Sequence, residues 1–431
     1  MLFSFLYEIS IWLLALIAIP KMLYQRWKYG KYRNSLRLRL GYDFPRIDKG
    51  KRPLIWMHAV SVGETKAIAP LAKLLKTLNN PILVISSTTE TGHAEAKRSL
   101  PFADHHVYLP LDFKGTVKPI ISQTKPDLVI LAETDFWYNF LNESKKNGAS
   151  IAVVNGKVST RSADRLKKFS FFSKPLFNLV DLFCVQNNIY KKRFEEIGVP
   201  ENKLIVTGNL KFDEDYTKLT ADEIKQWKDL LGINNDEMIL VAGSTHDPEE
   251  SLLVEALLKV WNKYPNLKVL IVPRHPERFN DVASLLAKKH LPFVRFSGIH
   301  SKTGKESVIL VDAMGVLRKC YQLADIALVG GSFTSKVGGH NIIEPCWFGV
   351  PVIFGPHMYS QPELLDLVKE YQAGIQIEPE KLSDLLCELL SNNEKKNSLG
   401  QAGITLVNNL KGATHKTLTS IKELKPAPLP E

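Results

Sequence analysis

The chain has 431 residues, 45% of them hydrophobic, with 56 Lys and Arg against 45 Asp and Glu and a formal net charge of +11. That apolar content excludes a disordered chain, and the length predicts two or three domains with sizeable cores. Four cysteines, Cys184, Cys320, Cys346 and Cys387, exclude a disulfide scaffold; none are paired at metal spacing, and they suit a reducing compartment.

The chain opens with "MLFSFLYEISIWLLALIAIP", about twenty apolar residues broken by Glu8. That is near the length of one membrane span and long for a signal-peptide core, and no small-residue cleavage site follows. Residues 21–53 then carry eleven Lys or Arg against two Asp. The position of this charge suits an anionic membrane surface better than nucleic acid, and the positive-inside rule sets the rest of the chain in the cytoplasm. Lys28, Lys31, Arg33, Arg37 and Arg39 are expected to meet the lipid. With Glu8 inside the apolar run, a spanning helix and an interfacial anchor both remain open, and the apolar first helix of a soluble protein is the third reading.

From residue 54 apolar runs alternate with helical patterns. "LIWMHAV", "ILVISST", "DLVILAE", "SIAVVNG" and "DLFCVQ" predict strands, each followed by a helical run. The alternation lapses near "NLKFDEDYTKLTADEIKQWKDLLGINNDE". It restarts at 237 with "EMILVAGS", "KVLIVPR", "SVILVDA", "ADIALVG", "VPVIFGP" and "AGIQIE". Repeated strand–helix order implies parallel sheets covered on both faces, hence an α/β fold of two doubly wound domains. The division is an anchor at 1–22, a basic juxtamembrane segment at 23–53, a first domain at 54–210, a linker at 211–235 and a second domain at 236–380. A helical tail at 381–431 is expected to pack back across the domains.

Ligands of such sheets bind beyond the carboxyl ends of the strands. The polar clusters fall there: "HAVSVGE", "AET" and "GNLKFD" in the first half, and "GSTHDPEE", "PRHPERF", "DAMG" and "GGSFTSKVGGHNIIEP" in the second. The last follows the strand "ADIALVG", contains the glycine pairs Gly330–Gly331 and Gly338–Gly339, and leads into what reads as a helix. Asn341 would cap that helix, with Glu344 three residues on. Strand, glycine loop and helix start suit an anion; a G-x-G-x-x-G or P-loop is absent.

Glu64 has two readings: an acid that stabilises its helix dipole, or a general base kept ionised by the helix start, with Ser61 and Gly63 leaving room for substrate. Arg274 offers a planar fork for a phosphate. Lys211 is one lysine among many. His246 and His275 are equally capping or catalytic, and Glu344 either caps or accepts ribose hydroxyls. On residues alone this is a two-domain nucleotide or nucleotide-sugar enzyme at the inner face of a membrane. The rival, a membrane-tethered binding protein, would lack the acid at 64 and the paired anion ligands.

Taken together, "HAVSVGE", "TTETGH", "YLPLD", "NGKVSTRS", "GNLKFD", "AGSTHDPEE", "VPRHPERF", "DAMG" and "GGSFTSKVGGHNIIEP" resemble the Kdo (3-deoxy-D-manno-octulosonic acid) transferase family over roughly residues 55 to 360. The resemblance implies a GT-B fold, two Rossmann-like domains facing a cleft, with an N-terminal membrane-anchor helix. It implies inverting transfer of Kdo from CMP-Kdo to the lipid A precursor lipid IVA, at the cytoplasmic face of the inner membrane, without cofactor or metal. Carried over by residue, Glu64 is the base, and Glu133 and Lys211 stabilise the transition state. Pro273, Arg274, Met314, Gly315, Val316, Asn341, Ile342, Ile343 and Glu344 line the nucleotide. The chain departs from the pattern in three places: Tyr138 stands where most relatives have proline, "NGKVS" at 155–159 replaces the usual "NARLS" with its "NGK" resembling the chlamydial branch, and Val316 replaces a glutamate. A UDP-sugar glycosyltransferase or epimerase is the alternative of the same fold.

Overall fold

The computed structural model describes residues 2–29, 35–78, 80–213 and 216–424. The chain divides into two compact units, Met1–Glu214 with Leu410–Glu431, and Asp215–Asn409.

The first unit carries a seven-stranded sheet in the order β3-β2-β1-β4-β5-β6-β7. Its strands are β1 (Leu54–His58), β2 (Ile82–Ser87), β3 (His105–Tyr108), β4 (Leu128–Ala132), β5 (Ser150–Gly156), β6 (Leu182–Val185) and β7 (Leu204–Val206). All pairings are parallel. Alternate residues of β1 enter opposite cores: Leu54 and Trp56 pack on one face, Ile55 and Met57 on the other. Each such side chain contributes about 1.5–3 kcal/mol by leaving water.

The second unit repeats the plan, in the order β10-β11-β9-β8-β12-β13-β14. Its strands are β8 (Met238–Thr245), β9 (Leu267–Pro273), β10 (Phe293–Arg295), β11 (Val308–Leu310), β12 (Ile326–Val329), β13 (Val352–Phe354) and β14 (Gly374–Gln376), again all parallel. The stretch where the sequence pattern lapses holds a helix, Ala221–Leu231, started by a Thr220–Glu223 capping box and ended by Gly232 at φ +69°. The final helix, Ala413–Lys422, belongs to the first unit, where Ala413 and Ile421 join its core. Asp213 fixes the entry to that helix by accepting the N–H groups of Gly412 (2.7 Å) and Thr414.

The N-terminal helix, Leu2–Tyr29, contains a stretch, Leu2–Pro20, long and apolar enough to cross a membrane by length and composition. One face is seated on the first unit. Phe3 lies 4.8 Å from the Tyr138 ring and Trp12 4.5 Å from Phe113, while Leu13, Leu14, Leu16 and Ile17 stay exposed. Glu8, which interrupts the apolar run, accepts the N–H of Lys114 at 2.7 Å, at the start of helix Lys114–Thr124, where an acid complements unpaired donors.

The basic flank is not uniformly a lipid-facing surface. Lys28 and Arg37 are exposed, Lys31 and Arg33 lie outside the described residues, and Arg39 is buried. Arg39 donates to the Thr88 carbonyl and stacks 4.6 Å from the Tyr108 ring, so it is a structural cation and is withdrawn from the expected lipid contacts.

Candidate active site

In the first unit the polar clusters converge at the carboxyl ends of β1, β4 and β5. Glu64 occupies the third position of helix Val62–Thr77, whose N-cap is Ser61. Its Oε2 accepts the Val60 N–H at 2.8 Å and its Oε1 the Ser61 hydroxyl at 3.0 Å. Both oxygens are thus held by the turn itself. The helix start was expected to keep this carboxylate readily ionised. Instead burial raises its pKa above the ordinary range and the neighbouring Glu133 charge adds to the rise, against the pull of Val60, Ser61 and His58.

Glu133 follows β4 in the left-handed region, φ +60°, and Asn155, near the end of β5, does the same at +55°. Two non-glycine residues held so at adjacent strand ends mark strain concentrated at a functional edge. Asn155 uses its side-chain oxygen to fix the Leu210 N–H at 3.0 Å, and Gln186 bridges from the Asn155 carbonyl to Asn209. These bonds set the one-turn helix Leu210–Asp213, on which Lys211 is exposed. The cation that touches Glu133 is Lys157, Nζ to Oε1 3.0 Å.

Behind these groups lies a network that sequence reasoning missed. His58, fully buried at the end of β1, faces Ser86 Oγ through Nδ1 (2.9 Å) and Asp135 Oδ2 through Nε2 (3.1 Å). Trp137 donates its indole N–H to the same Asp135 oxygen at 2.8 Å. Burial alone would raise Asp135; the His58 and Trp137 bonds outweigh it and hold the carboxyl below its usual range. A histidine closing an otherwise apolar strand was the available signal, since a buried polar ring needs a partner.

In the second unit the glycine loop hangs on Glu249. This buried carboxylate accepts the N–H groups of Gly331 (2.7 Å), His246 (2.8 Å) and Phe333 (2.8 Å). Burial raises its pKa and the three donors oppose the rise. Gly331 has φ +70°, and a Cβ there would lie 2.8 Å from the His340 ring. His340 and His246 meet Nε2 to Nε2 at 2.8 Å, so one ring donates and the other accepts; His275 packs 5.2 Å from His246. Burial, then the charges of His246, Arg274 and His275, pushes His340 down to about 4. Burial lowers His246 from its ordinary range as well, and the pair stands next to the exposed Arg274 that follows β9.

The segment after the glycine loop corrects the expected helix. It is a single 3-10 turn, Pro345–Phe348, closed by Gly349 at φ +72°. Asn341 accepts the Ile343 N–H at 3.1 Å in a local turn rather than capping an α-helix. Glu344 makes no cap bond; it pairs with Arg318 Nε at 2.8 Å, and that guanidinium lies over the Tyr216 ring at 4.2 Å. Ile342 and Ile343 are fully buried and Pro273 is buried, so any ligand contact from the two isoleucines comes from backbone. Met314 and Gly315 are exposed at the turn before Val316.

Two doubly wound parallel units, each with polar residues gathered at its strand ends, define an α/β protein of GT-B-like fold. Solved structures share the fold. UDP-GlcNAc 2-epimerase from Neisseria meningitidis bound to UDP-GlcNAc aligns with TM-score 0.60 and 14% identity, over 86% of this chain and 100% of that one. A glycosyltransferase from Rickettsia africae aligns with TM-score 0.58 and 18% identity, over 87% and 99%. The family model for 3-deoxy-D-manno-octulosonic-acid transferase (kdotransferase) matches residues 34–214. The chain is 35% identical to the 3-deoxy-D-manno-octulosonic acid transferase of Chlamydophila psittaci over 99% of its own length and 97% of the relative's, and 35% identical to that of Haemophilus influenzae over 92% of each. It belongs to the 3-deoxy-D-manno-octulosonic acid transferase family, glycosyltransferases of lipopolysaccharide biosynthesis.

Proposed function

We propose that this chain transfers Kdo from CMP-Kdo to lipid IVA at the cytoplasmic face of the inner membrane, with Glu64 as the general base. The observation that carries the reading is the Glu64 carboxylate. It is half-buried, fixed through both oxygens, and raised toward the pH at which it must work.

In the reaction an acceptor hydroxyl oxygen bonds to the anomeric carbon of Kdo as its proton passes to Glu64. The carbon–phosphate oxygen bond breaks on the opposite face, and CMP leaves with the electron pair. Arg274 meets the growing charge on that phosphate, and the Glu133–Lys157 pair, with Lys211 on the one-turn helix tied to Asn155, balances charge around the attacking group. The second unit holds the nucleotide through Pro273, Arg274, Met314 to Val316 and Asn341 to Glu344, with Glu249 and the histidine pair shaping the loop. The apolar helix Leu2–Tyr29 and the exposed cations Lys28 and Arg37 support attachment to an anionic membrane surface.

The test is incubation of the purified full chain with CMP-Kdo and detergent-dispersed lipid IVA, followed by mass measurement of the lipid. One or more added Kdo residues is the expected result. Turnover with a UDP-sugar and none with CMP-Kdo would overturn the donor assignment.

A further inference from the structure

Helix Tyr138–Lys146 begins without help from its own N-cap residue, Trp137. Its first three N–H groups are instead satisfied from distant parts of the chain. Tyr138 donates to the Tyr7 hydroxyl at 3.2 Å, Asn139 to Asp112 Oδ2 at 3.0 Å, and Phe140 to Asp112 Oδ1 at 2.8 Å. The Tyr7 hydroxyl donates in turn to Asp112 Oδ2 at 2.8 Å. Asn139 closes the set by donating its side-chain amide to the Asp112 carbonyl at 2.5 Å. The rings of Phe3 and Tyr7 lie 4.8 and 5.0 Å from that of Tyr138.

The loop entering this helix, Glu133 to Trp137, is short and fixed at both ends. Its first residue leaves β4 in the left-handed conformation and pairs with Lys157; its third holds His58; its last donates to Asp135. A displacement of the helix start therefore moves the carboxylates of Glu133 and Asp135, and Glu133 acts electrostatically on Glu64.

We propose that Tyr7 of the apolar N-terminal helix is a positioning residue for the reaction: its hydroxyl, set between Asp112 and the Tyr138 N–H, fixes the Glu133–Trp137 loop. The N-terminal helix thereby becomes part of the site's support as well as a membrane attachment. This rests on the reading of Glu64 and Glu133 as reaction-site groups.

The test uses the full chain in detergent with dispersed acceptor, so that membrane partitioning plays no part. Tyr7→Phe keeps the ring packing and removes one hydroxyl, leaving the Tyr138 N–H without its acceptor. Amide exchange of residues 138–140 should accelerate roughly tenfold. The kcat should fall by roughly 3- to 30-fold with an unchanged KM for CMP-Kdo, and the acid limb of the pH profile should shift, because the carboxylates around Glu64 have moved. Tyr138→Pro supplies the second arm. Position 138 is the first of the helix, where proline fits and no intrahelical N–H is lost. In that background Tyr7→Phe should cost clearly less, since the orphaned N–H is gone. Unchanged exchange, unchanged kcat, or the same Tyr7→Phe penalty with and without the proline would each overturn the proposal. The exchange measurement does not depend on the mechanism, and the base reading fails separately, through full turnover in Glu64→Gln.

Discussion

Replacing Glu64 with Gln separates chemistry from support. The glutamine carbonyl keeps the bond from the Val60 N–H, now 2.8 Å. Its NH2 then faces Ser61 Oγ, which turns its hydroxyl and accepts; Ser61 already accepts the residue-64 N–H at 3.3 Å, and a hydroxyl oxygen has a second lone pair. No buried group is orphaned. Losing an acid from the first turn costs about 0.3–1 kcal/mol, offset by removing a charge that burial and Glu133 both oppose. The melting temperature should stay within roughly 4 °C of the parent. As the base, however, Glu64 is worth roughly 10²–10⁴ in kcat, about 2.7–5.5 kcal/mol of barrier. The assay is turnover of CMP-Kdo onto dispersed lipid IVA beside a calorimetric melt and a CMP titration. Turnover within about threefold of the parent would falsify the base assignment. The parent's pH profile gives an independent check. A base works only ionised, so activity is lost as pH falls through the Glu64 pKa, and because that pKa is raised the acid limb should lie above the usual glutamate range.

Other substitutions probe the supports. Glu249→Gln keeps one acceptor oxygen but points an NH2 at a backbone N–H of the glycine loop, costing about 1–3 kcal/mol of stability; an unchanged denaturation midpoint would refute its holding role. Arg274→Ala should weaken CMP binding roughly 10- to 150-fold and Arg274→Lys should restore it only in part, both read by calorimetric titration. Arg37→Gln should leave stability within about 0.5 kcal/mol, whereas Arg39→Gln should cost about 1–3 kcal/mol, which a pair of urea melts would distinguish. Between pH 6.5 and about 4 the unfolded chain protonates at position 340 while the folded ring, pressed by burial and by His246, Arg274 and His275, does not. Stability should therefore drop as pH falls through that window, and His340→Gln should flatten the drop.

Strand–helix alternation was legible because a central parallel strand is buried on both faces and must be an apolar run. The strands that escaped notice, β3, β7 and β10, are all sheet edges of three or four residues, partly solvated and free to carry polar side chains such as His105, His106 and Arg295. The motifs "HAVSVGE", "AET" and "GGSFTSKVGGHNIIEP" were legible as clusters at strand ends, since position along the chain fixes which end of a parallel sheet a loop occupies. The partner of each side chain was not. Glu344 and Asn341 fit a capping rule within four residues, yet Glu344 turns to Arg318, 26 positions upstream. Glu8 looks like a flaw in an apolar helix until Lys114 supplies its donor across 106 positions, and Arg39 looks like a surface charge until Thr88 and Tyr108 enclose it. The helix dipole correctly favours an ionised Glu64, but burial and the charge of Glu133 outweigh it. Local rules act through bonds a few residues long, and the sequence alone determines those. Desolvation and long-range pairing depend on which distant segments meet, and that is decided only when the sheets assemble.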